Sequence, residues 1–246
     1  MRNFFTFNGV SSKDFGVYIS GSGRITIPTK AYTFQEIPGR SGDLIVDRKA
    51  RVANDLITYP AFIGPSNERG VVRSYPEMAG RLRAWLLSVQ GYARLTDSYD
   101  PKRYRLAAFA GPTEFQSLPS LLAGNFELQF TAKPQRYHDD EEDALALTAG
   151  ETETVRKCGY VFSEPLFAVS GTGTFTVGAV TVTVAQNSLT GPIYIDCRLM
   201  DCYDSAGVNA NRFVSFSDYE FPVVADGTVI DAGDVDLEVK PRWFEL

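Results

Sequence analysis

Short runs in which apolar and polar residues alternate fill most of the N-terminal half of the chain. Alternation with a period of two is typical of half-buried β-strands. Turn-forming pairs such as Asn8-Gly9 and Pro38-Gly39 separate the runs. The runs read FFTF, FGVYI, RITI, AYTFQEI, LIVDRKARV and LITYPAFI. This pattern predicts a series of short strands joined by tight turns.

One segment, SYPEMAGRLRAWLLSVQG, has a helical period instead. Its large apolar residues recur every three or four positions, at Met78, Leu82, Trp85, Leu86 and Val89. Ser74 and Glu77 have the spacing of a capping box, and Gly91 stands where a C-terminal cap belongs. The segment therefore predicts one amphipathic helix whose apolar face, including Trp85, packs on the strands.

A run of five acidic residues, Asp139 to Asp143, divides the chain. Adjacent like charges repel one another and lose hydration on burial, so the run is expected to lie in solvent. Strand-like patterns occur on both sides of it, and 246 residues suffice for two domains of common size. We expect an N-terminal β domain with the helix at 1–137, an acidic linker at 138–150 and a C-terminal β domain at 151–246.

The C-terminal domain contains the clearest hairpin pattern in the sequence, TFTVGAVTVTV. Phe175 and Val177 alternate before a Gly178-Ala179 turn, and three valines alternate after it. The strand-like segments PIYIDCRLM, NRFVSF and VDLEVKPRW follow without a helical period. Short strands separated by Gly, Asn and Asp turns are typical of a β-sandwich. The predicted fold class is therefore mainly β.

Composition and charge exclude several classes of protein. A hydrophobic content of 44% with 22% charged residues is that of a globular chain. The net charge of -6 argues against sequence-specific DNA binding, because phosphate backbones are repelled. No apolar run approaches the length of a membrane span, and MRNFFTFNG lacks the apolar centre of a signal peptide. We expect a protein that is made in a cytoplasm and does not cross a membrane.

Cysteine and histidine usage indicates no metal site, cofactor or disulfide framework. Cys197 and Cys202, if they share one regular strand, would lie on opposite faces roughly 16 Å apart, beyond disulfide reach. Cys158 stands alone, and His138 is the single histidine of the chain. A zinc site needs more ligands than these. His138 is expected to be an exposed linker residue and not a catalytic base.

The stretch IPGRSGDLIVD admits two interpretations, a phosphate-binding loop or a turn. A phosphate loop would close on Gly-Lys-Ser/Thr and lead into a helix. Here a β-favouring Leu-Ile-Val run follows, and a strand-like run precedes. A hairpin with a Pro-Gly-x-x-Gly turn is the prediction.

Catalytic chemistry has no clear candidate in this sequence. A pair of carboxylates for glycoside hydrolysis is defined by its distance in three dimensions, which the sequence does not give. The acidic run is a poor candidate, because such a pair needs two environments that separate its pKa values, and a solvated run gives its carboxylates nearly the same environment. Trp243 near the C-terminus is expected to pack and not to bind sugar. The tyrosines and phenylalanines lie mainly on alternating strands, where membership of the core is the ordinary explanation.

Taken together, these segments resemble the distal tail protein (Dit) family of long-tailed bacteriophages and prophages. The resemblance covers nearly the whole chain and depends on the order and spacing of several segments. They are FTFNGVSSKDFGVYISG, IPGRSGDLIVD, TYPAFI, RAWLLSVQGYARLTDSYDPKRYRLAAF, FELQFTAKPQRY, GPIYIDCRLMDCYD and KPRWFEL.

This resemblance implies an N-terminal β domain with one helix that forms a six-fold ring, followed by a galectin-like C-terminal β-sandwich. It implies no enzymatic activity and no cofactor. The ring would be a structural hub of the virion tail tip, assembled in the bacterial host. Its partners would be further copies of the chain, the tail tube protein, the tail-associated baseplate hub protein and receptor-binding proteins.

We expect self-association through the N-terminal domain, with the hairpin tip at Gly39, Arg40, Gly42 and Asp43 as one contact patch. The passage through the ring is expected to be acidic or neutral and not to retain duplex DNA. The basic residues Arg48, Lys49 and Arg51 would oppose this if they lined the passage. The alternative function is a carbohydrate-binding module or glycosidase that acts at the bacterial surface.

Overall fold

The chain folds into two compact units in a computed structural model. The structure describes residues 2–20, 27–47, 51–64, 67–68, 71–72, 74–111, 116–118, 123–139, 144–157, 162–186 and 191–246. Unit 1 comprises residues 1–136 together with Leu246, and unit 2 comprises Tyr137–Glu245. Across these described ranges the chain is mainly β with a single α-helix.

Unit 1 is built on an antiparallel sheet, and β4 with β5 and β7 with β8 form two separate two-stranded sheets. The strands of unit 1 are β1 (Phe5–Phe7), β2 (Val10–Ser11), β3 (Val17–Ile19), β4 (Phe34–Gln35), β5 (Leu44–Ile45), β6 (Asp55–Ile63), β7 (Asn67–Glu68), β8 (Val71–Val72), β9 (Ala93–Asp97), β10 (Arg103–Phe109), β11 (Gln116–Leu118) and β12 (Ala123–His138). The sheet follows the order β2-β1-β9-β10-β12, and β12 also pairs with β6 and β11, while β3 pairs with β6. A 3-10 helix, Ser12–Phe15, joins β2 to β3.

Helix α1 (Tyr75–Ser88) covers one face of this sheet, as the periodicity predicts. Its buried residues include Met78, Leu82 and Trp85, with Trp85 9% exposed. They share a core with the inward residues of the sheet, such as Phe5 and Leu128. Alternating strand positions and one helical face thus meet in a single apolar core.

Both ends of α1 differ from the sequence prediction. Ser74 is the N-cap residue, but its side chain makes no capping hydrogen bond, so the predicted capping box is wrong in that contact. The helix ends at Ser88, whose hydroxyl donates to the Trp85 carbonyl at 2.7 Å. Val89 is already extended, at φ -82° and ψ 116°, and packs on the core from outside the helix. Gly91 has a φ of 73° and shapes the following turn instead of capping the helix directly.

Unit 2 contains two five-stranded antiparallel sheets. Its strands are β13 (Leu145–Leu147), β14 (Thr152–Thr154), β15 (Phe162–Ser163), β16 (Leu166–Ser170), β17 (Gly173–Val177), β18 (Val180–Val184), β19 (Ile193–Asp196), β20 (Asp201–Tyr203), β21 (Val214–Phe216), β22 (Val224–Ala225), β23 (Val229–Asp231), β24 (Asp236–Lys240) and β25 (Trp243–Glu245). The sheet orders are β13-β24-β16-β19-β20 and β14-β23-β17-β18-β21. Inward residues of both sheets form one core, so the unit is a β-sandwich, as predicted.

The predicted valine-rich hairpin is confirmed. β17 pairs with β18 in the register Phe175↔Val182 and Val177↔Val180, and Gly178 occupies the turn with a φ of 58°. A left-handed φ favours glycine, because a side chain there approaches its own backbone. Trp243 is 2% exposed, which confirms that it packs.

Three other strand predictions for unit 2 need correction. PIYIDCRLM is not one strand: β19 ends at Asp196, the chain turns, and β20 pairs back with Ile195 opposite Cys202. Cys197 and Cys202 are therefore both buried in the sandwich core, as free thiols, and do not lie on opposite faces of one strand. NRFVSF begins with a 3-10 helix, Asn211–Phe213. VDLEVKPRW is interrupted between β24 and β25.

The segment assigned to the acidic linker is shorter in the structure. Leu145–Leu147 forms β13, which pairs with β24 in the sandwich. His138 is the last residue of β12 and is half-buried, so the expectation of an exposed linker residue is wrong. Asp139 is exposed, and residues 140–143 lie outside the described ranges.

Charge is divided very unequally between the two units. Unit 1 contains 18 Lys and Arg against 11 Asp and Glu, a net charge of +7. Unit 2 contains 6 basic against 19 acidic residues, a net charge of -13, and the two together give -6. The acidic balance of the whole chain therefore comes from the sequence of unit 2, which includes the acidic run at 139–143.

A candidate protein-interaction arm

Residues 27–47 and 51–54, here called the arm, form an extended two-stranded ribbon in unit 1. Near its base Lys30 bridges to Val52, and the Ala31 N–H donates to the Arg51 carbonyl at 2.8 Å. Toward its tip β4 and β5 pair in the register Phe34↔Ile45. Nearly every described residue from 27 to 47 is exposed. The ribbon is thus held by its own backbone hydrogen bonds.

The tip of the arm is the turn that the IPGRSGDL stretch predicts. Gly39 and Gly42 have φ values of 79° and 83°, which favour glycine at both positions. The Arg40 N–H donates to the Ile37 carbonyl at 3.1 Å and closes the turn. A strand follows the glycines, so the helix that a phosphate loop requires is not formed there.

The four residues proposed from sequence as a contact patch all lie at this tip. Gly39, Arg40, Gly42 and Asp43 are exposed and adjacent. They bring one cation and one anion to the end of the arm.

Large apolar side chains cover both faces of the arm. Phe34 and Ile45 lie opposite each other on one face, 61% and 42% exposed, and Tyr32 joins them with its ring centroid 6.1 Å from that of Phe34. Leu44 and Val46 are exposed on the other face. Sequence reasoning placed the aromatic residues of alternating strands in the core, and for Tyr32 and Phe34 that is wrong.

An isolated two-stranded ribbon is at best marginally stable in water, and exposed apolar clusters mark interaction sites. Each fully buried large apolar side chain contributes roughly 1.5 to 3 kcal/mol relative to exposure. The arm therefore presents a surface whose burial by another protein would be favourable.

The charges on the described part of the arm balance. Its three acidic residues are Glu36, Asp43 and Asp47, and its three basic residues are Lys30, Arg40 and Arg51. Arg48 and Lys49, which sequence analysis singled out, lie outside the described residues.

The other residue types that could bind a metal ion or act as nucleophiles do not form a site in the described part of the chain. Within the described ranges no group of three or more His, Cys, Asp or Glu side chains is placed to hold a metal ion. Burial raises the pKa of the Cys202 thiol to about 12, and burial likewise raises the pKa of Cys197, so both are unreactive thiols at neutral pH. No helix in the described part of the chain is long and apolar enough to span a membrane.

Comparison with known proteins gives no match by sequence and a clear match by structure. No protein-family model matches the chain, and no curated protein is significantly similar in sequence. The structure of the SPP1 Dit (gp 19.1) protein, described as a paradigm of the hub adsorption apparatus in phages that infect Gram-positive bacteria, superposes with a TM-score of 0.68 and 11% identity. The match covers 100% of this chain and 99% of that one.

Two structures of the phage p2 baseplate in its activated conformation match as well. The form with Sr has a TM-score of 0.55 and the form with Ca a TM-score of 0.51, each at 7% identity over 97% of both chains. Similarity at such low identity concerns the fold, and it extends over both units. The chain has the fold of the bacteriophage distal tail protein, as the resemblance of its sequence predicts.

Proposed function

We propose that this protein is a structural hub of a bacteriophage tail tip. The observation that carries the proposal is the end-to-end similarity to the SPP1 Dit protein, which includes both units. In this role the protein joins the tail tube to the host-adsorption apparatus and performs no catalysis. It is assembled in the host cell and resides in the virion tail.

In the proposed assembly six copies form a closed ring around a passage for DNA. A ring with head-to-tail contacts needs two different complementary patches on each subunit. The arm is suited to be one of them, because it exposes apolar side chains on a ribbon that the rest of the described chain leaves uncovered.

Unit 2 is proposed to be the galectin-like domain of such hubs. It would face outward from the ring and attach receptor-binding proteins, while the ring contacts the tail tube protein and the tail-associated baseplate hub protein. Support comes from its two five-stranded antiparallel sheets with a shared core.

Removing the apolar face of the arm is expected to abolish ring formation. The test replaces Phe34 and Ile45 together by serine in the full chain and measures mass by sedimentation velocity. The wild-type protein should sediment as about six copies of the 27.1 kDa chain, in line with a closed ring. The variant should sediment as smaller species with an unchanged far-UV spectrum.

Leu87→Ser is the matched control for this experiment, because Leu87 is 61% exposed on α1 and outside the arm. It should assemble like the wild type. A wild-type protein that stays monomeric at all concentrations would contradict the proposed ring. An arm variant that still forms rings would contradict the role of the arm as a contact patch.

Duplex DNA is expected to pass without being retained. Contacts from several basic side chains would bind the DNA phosphates through counterion release and slow the exit of the DNA duplex. The excess of acidic residues that motivates this expectation lies in unit 2, whereas unit 1 has an excess of basic residues. The expectation therefore requires that the basic residues of unit 1 do not line the passage. A gel shift with assembled protein at moderate salt should show no complex. A complex that disappears when Arg48, Lys49 and Arg51 are neutralised would refute the expectation.

A further inference from the structure

One sheet of the sandwich leaves a shallow groove on its outer face. In β16, the central strand of β13-β24-β16-β19-β20, Phe167 points into the core and Ala168 lies on the outer face. Ala168 is paired with Tyr194 of β19 on one side and with Glu238 of β24 on the other. Neighbouring strands are about 4.8 Å apart, so the two larger side chains flank a methyl group across roughly 10 Å. Ala168 is half-buried, so solvent reaches this floor. The feature is here called the sheet groove.

Tyr194 forms an aromatic wall of the sheet groove. It stacks on Tyr203 of β20, with ring centroids 5.6 Å apart and ring planes 18° from parallel. Because β20 and β16 flank β19 on opposite sides, the second face of the Tyr194 ring is directed toward Ala168. Both tyrosines are half-buried. The stack supports the Tyr194 ring from behind, so the groove has a rigid apolar wall that loses little entropy on binding.

The opposite wall is polar. Glu238 and Lys240 follow each other on the outer face of β24 and pair at 3.7 Å. Both side chains are more than half exposed. A carboxylate offers several lone pairs and an ammonium three N–H groups, so each has bonding capacity beyond this one contact. The wall therefore supplies acceptors and donors across the groove from the aromatic ring.

Arg242 closes one end of the sheet groove. It donates to the carbonyls of Glu164 and Pro165, just before β16, at 2.9 and 3.0 Å. It also donates to both carboxylate oxygens of Asp196, at the end of β19. Since Arg242 itself follows β24, its guanidinium crosses the start of β16 from one wall to the other. At the opposite end of β16 Ser170 is exposed, so the groove opens there.

Charge and width together restrict the ligand. Lys240 offsets Glu238, and Asp196 offsets Arg242, so the groove has little unmatched charge of its own. Unit 2 as a whole has a net charge of -13, which repels anions. An α-helix, about 10 to 12 Å across, is too broad to reach the floor. A sugar ring fits, because its C–H groups pack on an aromatic face while its hydroxyl groups bond to a few polar side chains.

We propose that the sheet groove binds a neutral saccharide. One sugar ring lies above Ala168 and stacks on the open face of Tyr194, and its hydroxyl groups bond to Glu238 and Lys240. The inference goes beyond the proposed hub role, which needs no saccharide site, and it involves no catalysis.

Three neutral hexasaccharides, chitohexaose, maltohexaose and cellohexaose, test the proposal on the full chain. Saturation-transfer NMR and calorimetric titration should show that at least one of them binds with a dissociation constant of about 1 mM or lower. Dextran sulfate, a polyanionic saccharide, should not bind. Absence of binding by all three neutral probes at about 10 mM, or binding of the polyanion alone, overturns the inference.

Tyr194→Ala tests the aromatic wall. Loss of the stacking surface should raise the dissociation constant roughly two-fold to ten-fold. Tyr219→Ala is the matched control, because Tyr219 is 95% exposed in the same unit and lies outside the groove. It should leave the constant unchanged. Equal effects of the two changes would show that the saccharide does not stack on Tyr194.

Ala168→Leu tests the floor. A leucine at this half-buried position extends into the groove and should abolish measurable saccharide binding, with an unchanged far-UV spectrum and melting temperature. Thr176→Leu is the matched control, because Thr176 is a half-buried residue on the outer face of β17 in the other sheet. It should bind like the wild type. Binding that survives in Ala168→Leu places the ligand elsewhere and overturns the inference.

Sedimentation velocity on the same proteins separates this inference from the proposed ring. Both groove variants should assemble like the wild type. A wild-type protein that stays monomeric but binds a neutral hexasaccharide, and loses it in Ala168→Leu, would refute the ring and support the groove. A protein that forms rings but binds none of the probes would refute the groove alone.

Discussion

Replacing Trp85 by alanine is expected to destabilise unit 1 by about 3 to 5 kcal/mol, the usual effect of truncating a buried tryptophan. Its indole stacks on Phe15 with ring centroids 4.5 Å apart and on Phe5 at 5.8 Å, and meets Phe7 edge-on at 6.3 Å. The side chain is 9% exposed. Since a domain is stable by roughly 5 to 15 kcal/mol, the loss would be a large part of the total. Chemical denaturation followed by circular dichroism measures it.

Trp85→Phe is the matched control for this variant. It keeps an aromatic ring against Phe15 and removes an indole N–H that makes no hydrogen bond within the described part of the chain. Its loss of stability should be clearly smaller than that of the alanine variant. An unchanged melting temperature for Trp85→Ala would show that the apolar face of α1 has been assigned wrongly.

Replacing Asp196 by asparagine is expected to destabilise unit 2 by about 3 kcal/mol, because it leaves a largely buried guanidinium without its counter-charge. Arg242 donates to both carboxylate oxygens of Asp196, at 3.0 and 2.7 Å. Arg242 also donates to the carbonyls of Glu164 and Pro165. The Asp196 side chain is 5% exposed and that of Arg242 20%. This clamp joins the strand ends of β16 and β19 to the segment between β24 and β25.

The same carboxylate should make unit 2 sensitive to acid. Burial alone raises the pKa of Asp196, but the hydrogen bonds from Arg242 and from the N–H of Leu199 outweigh it and hold the pKa below its ordinary value of 3.8. A carboxyl group with a lowered folded-state pKa stabilises the protein fully above the ordinary value and loses that contribution as the pH falls through the folded-state pKa. The stability difference between wild type and Asp196→Asn should therefore shrink below about pH 4.

Glu238→Gln is the control for the Asp196 experiments. Glu238 pairs with Lys240 at 3.7 Å, but both side chains are more than half exposed, so the pair contributes little. Urea denaturation at several pH values is followed by fluorescence in a Trp85→Phe background, where the buried Trp243 is the sole tryptophan and reports on unit 2. Equal stability losses for Asp196→Asn and Glu238→Gln at neutral pH would show that the clamp is not a significant contribution.

Much of the fold follows from local pattern. The valine-rich hairpin was predictable because alternation and a Gly turn both act within a dozen residues. The apolar face of the helix was predictable from its periodicity. The residue at which the helix ends was not, because the hydrogen bond from the Ser88 hydroxyl to the Trp85 carbonyl and the extended backbone of Val89 do not affect the periodicity. The turn between β19 and β20 was missed, since the strand-like pattern IYIDCRLM continues through Cys197 without a Gly or Pro to interrupt it.

The candidate interaction surfaces were only partly predictable. The tip of the arm was found from its glycines, whose conformational role is local. The exposure of Phe34 was not predictable, because an alternating pattern that contains an aromatic residue is the same whether or not another element covers that residue. The charge division between the units could have been found by adding charges on each side of the acidic run.

The sequence by itself determined the mainly β class, the single helix among the described elements, the sandwich hairpin and the glycine turn of the arm, because each depends on neighbours close in the chain. Only the tertiary structure decided which apolar residues stay in solvent and that Asp196 meets Arg242 across 46 positions. These features depend on which strands pair across long separations, and local propensity carries no information about that choice.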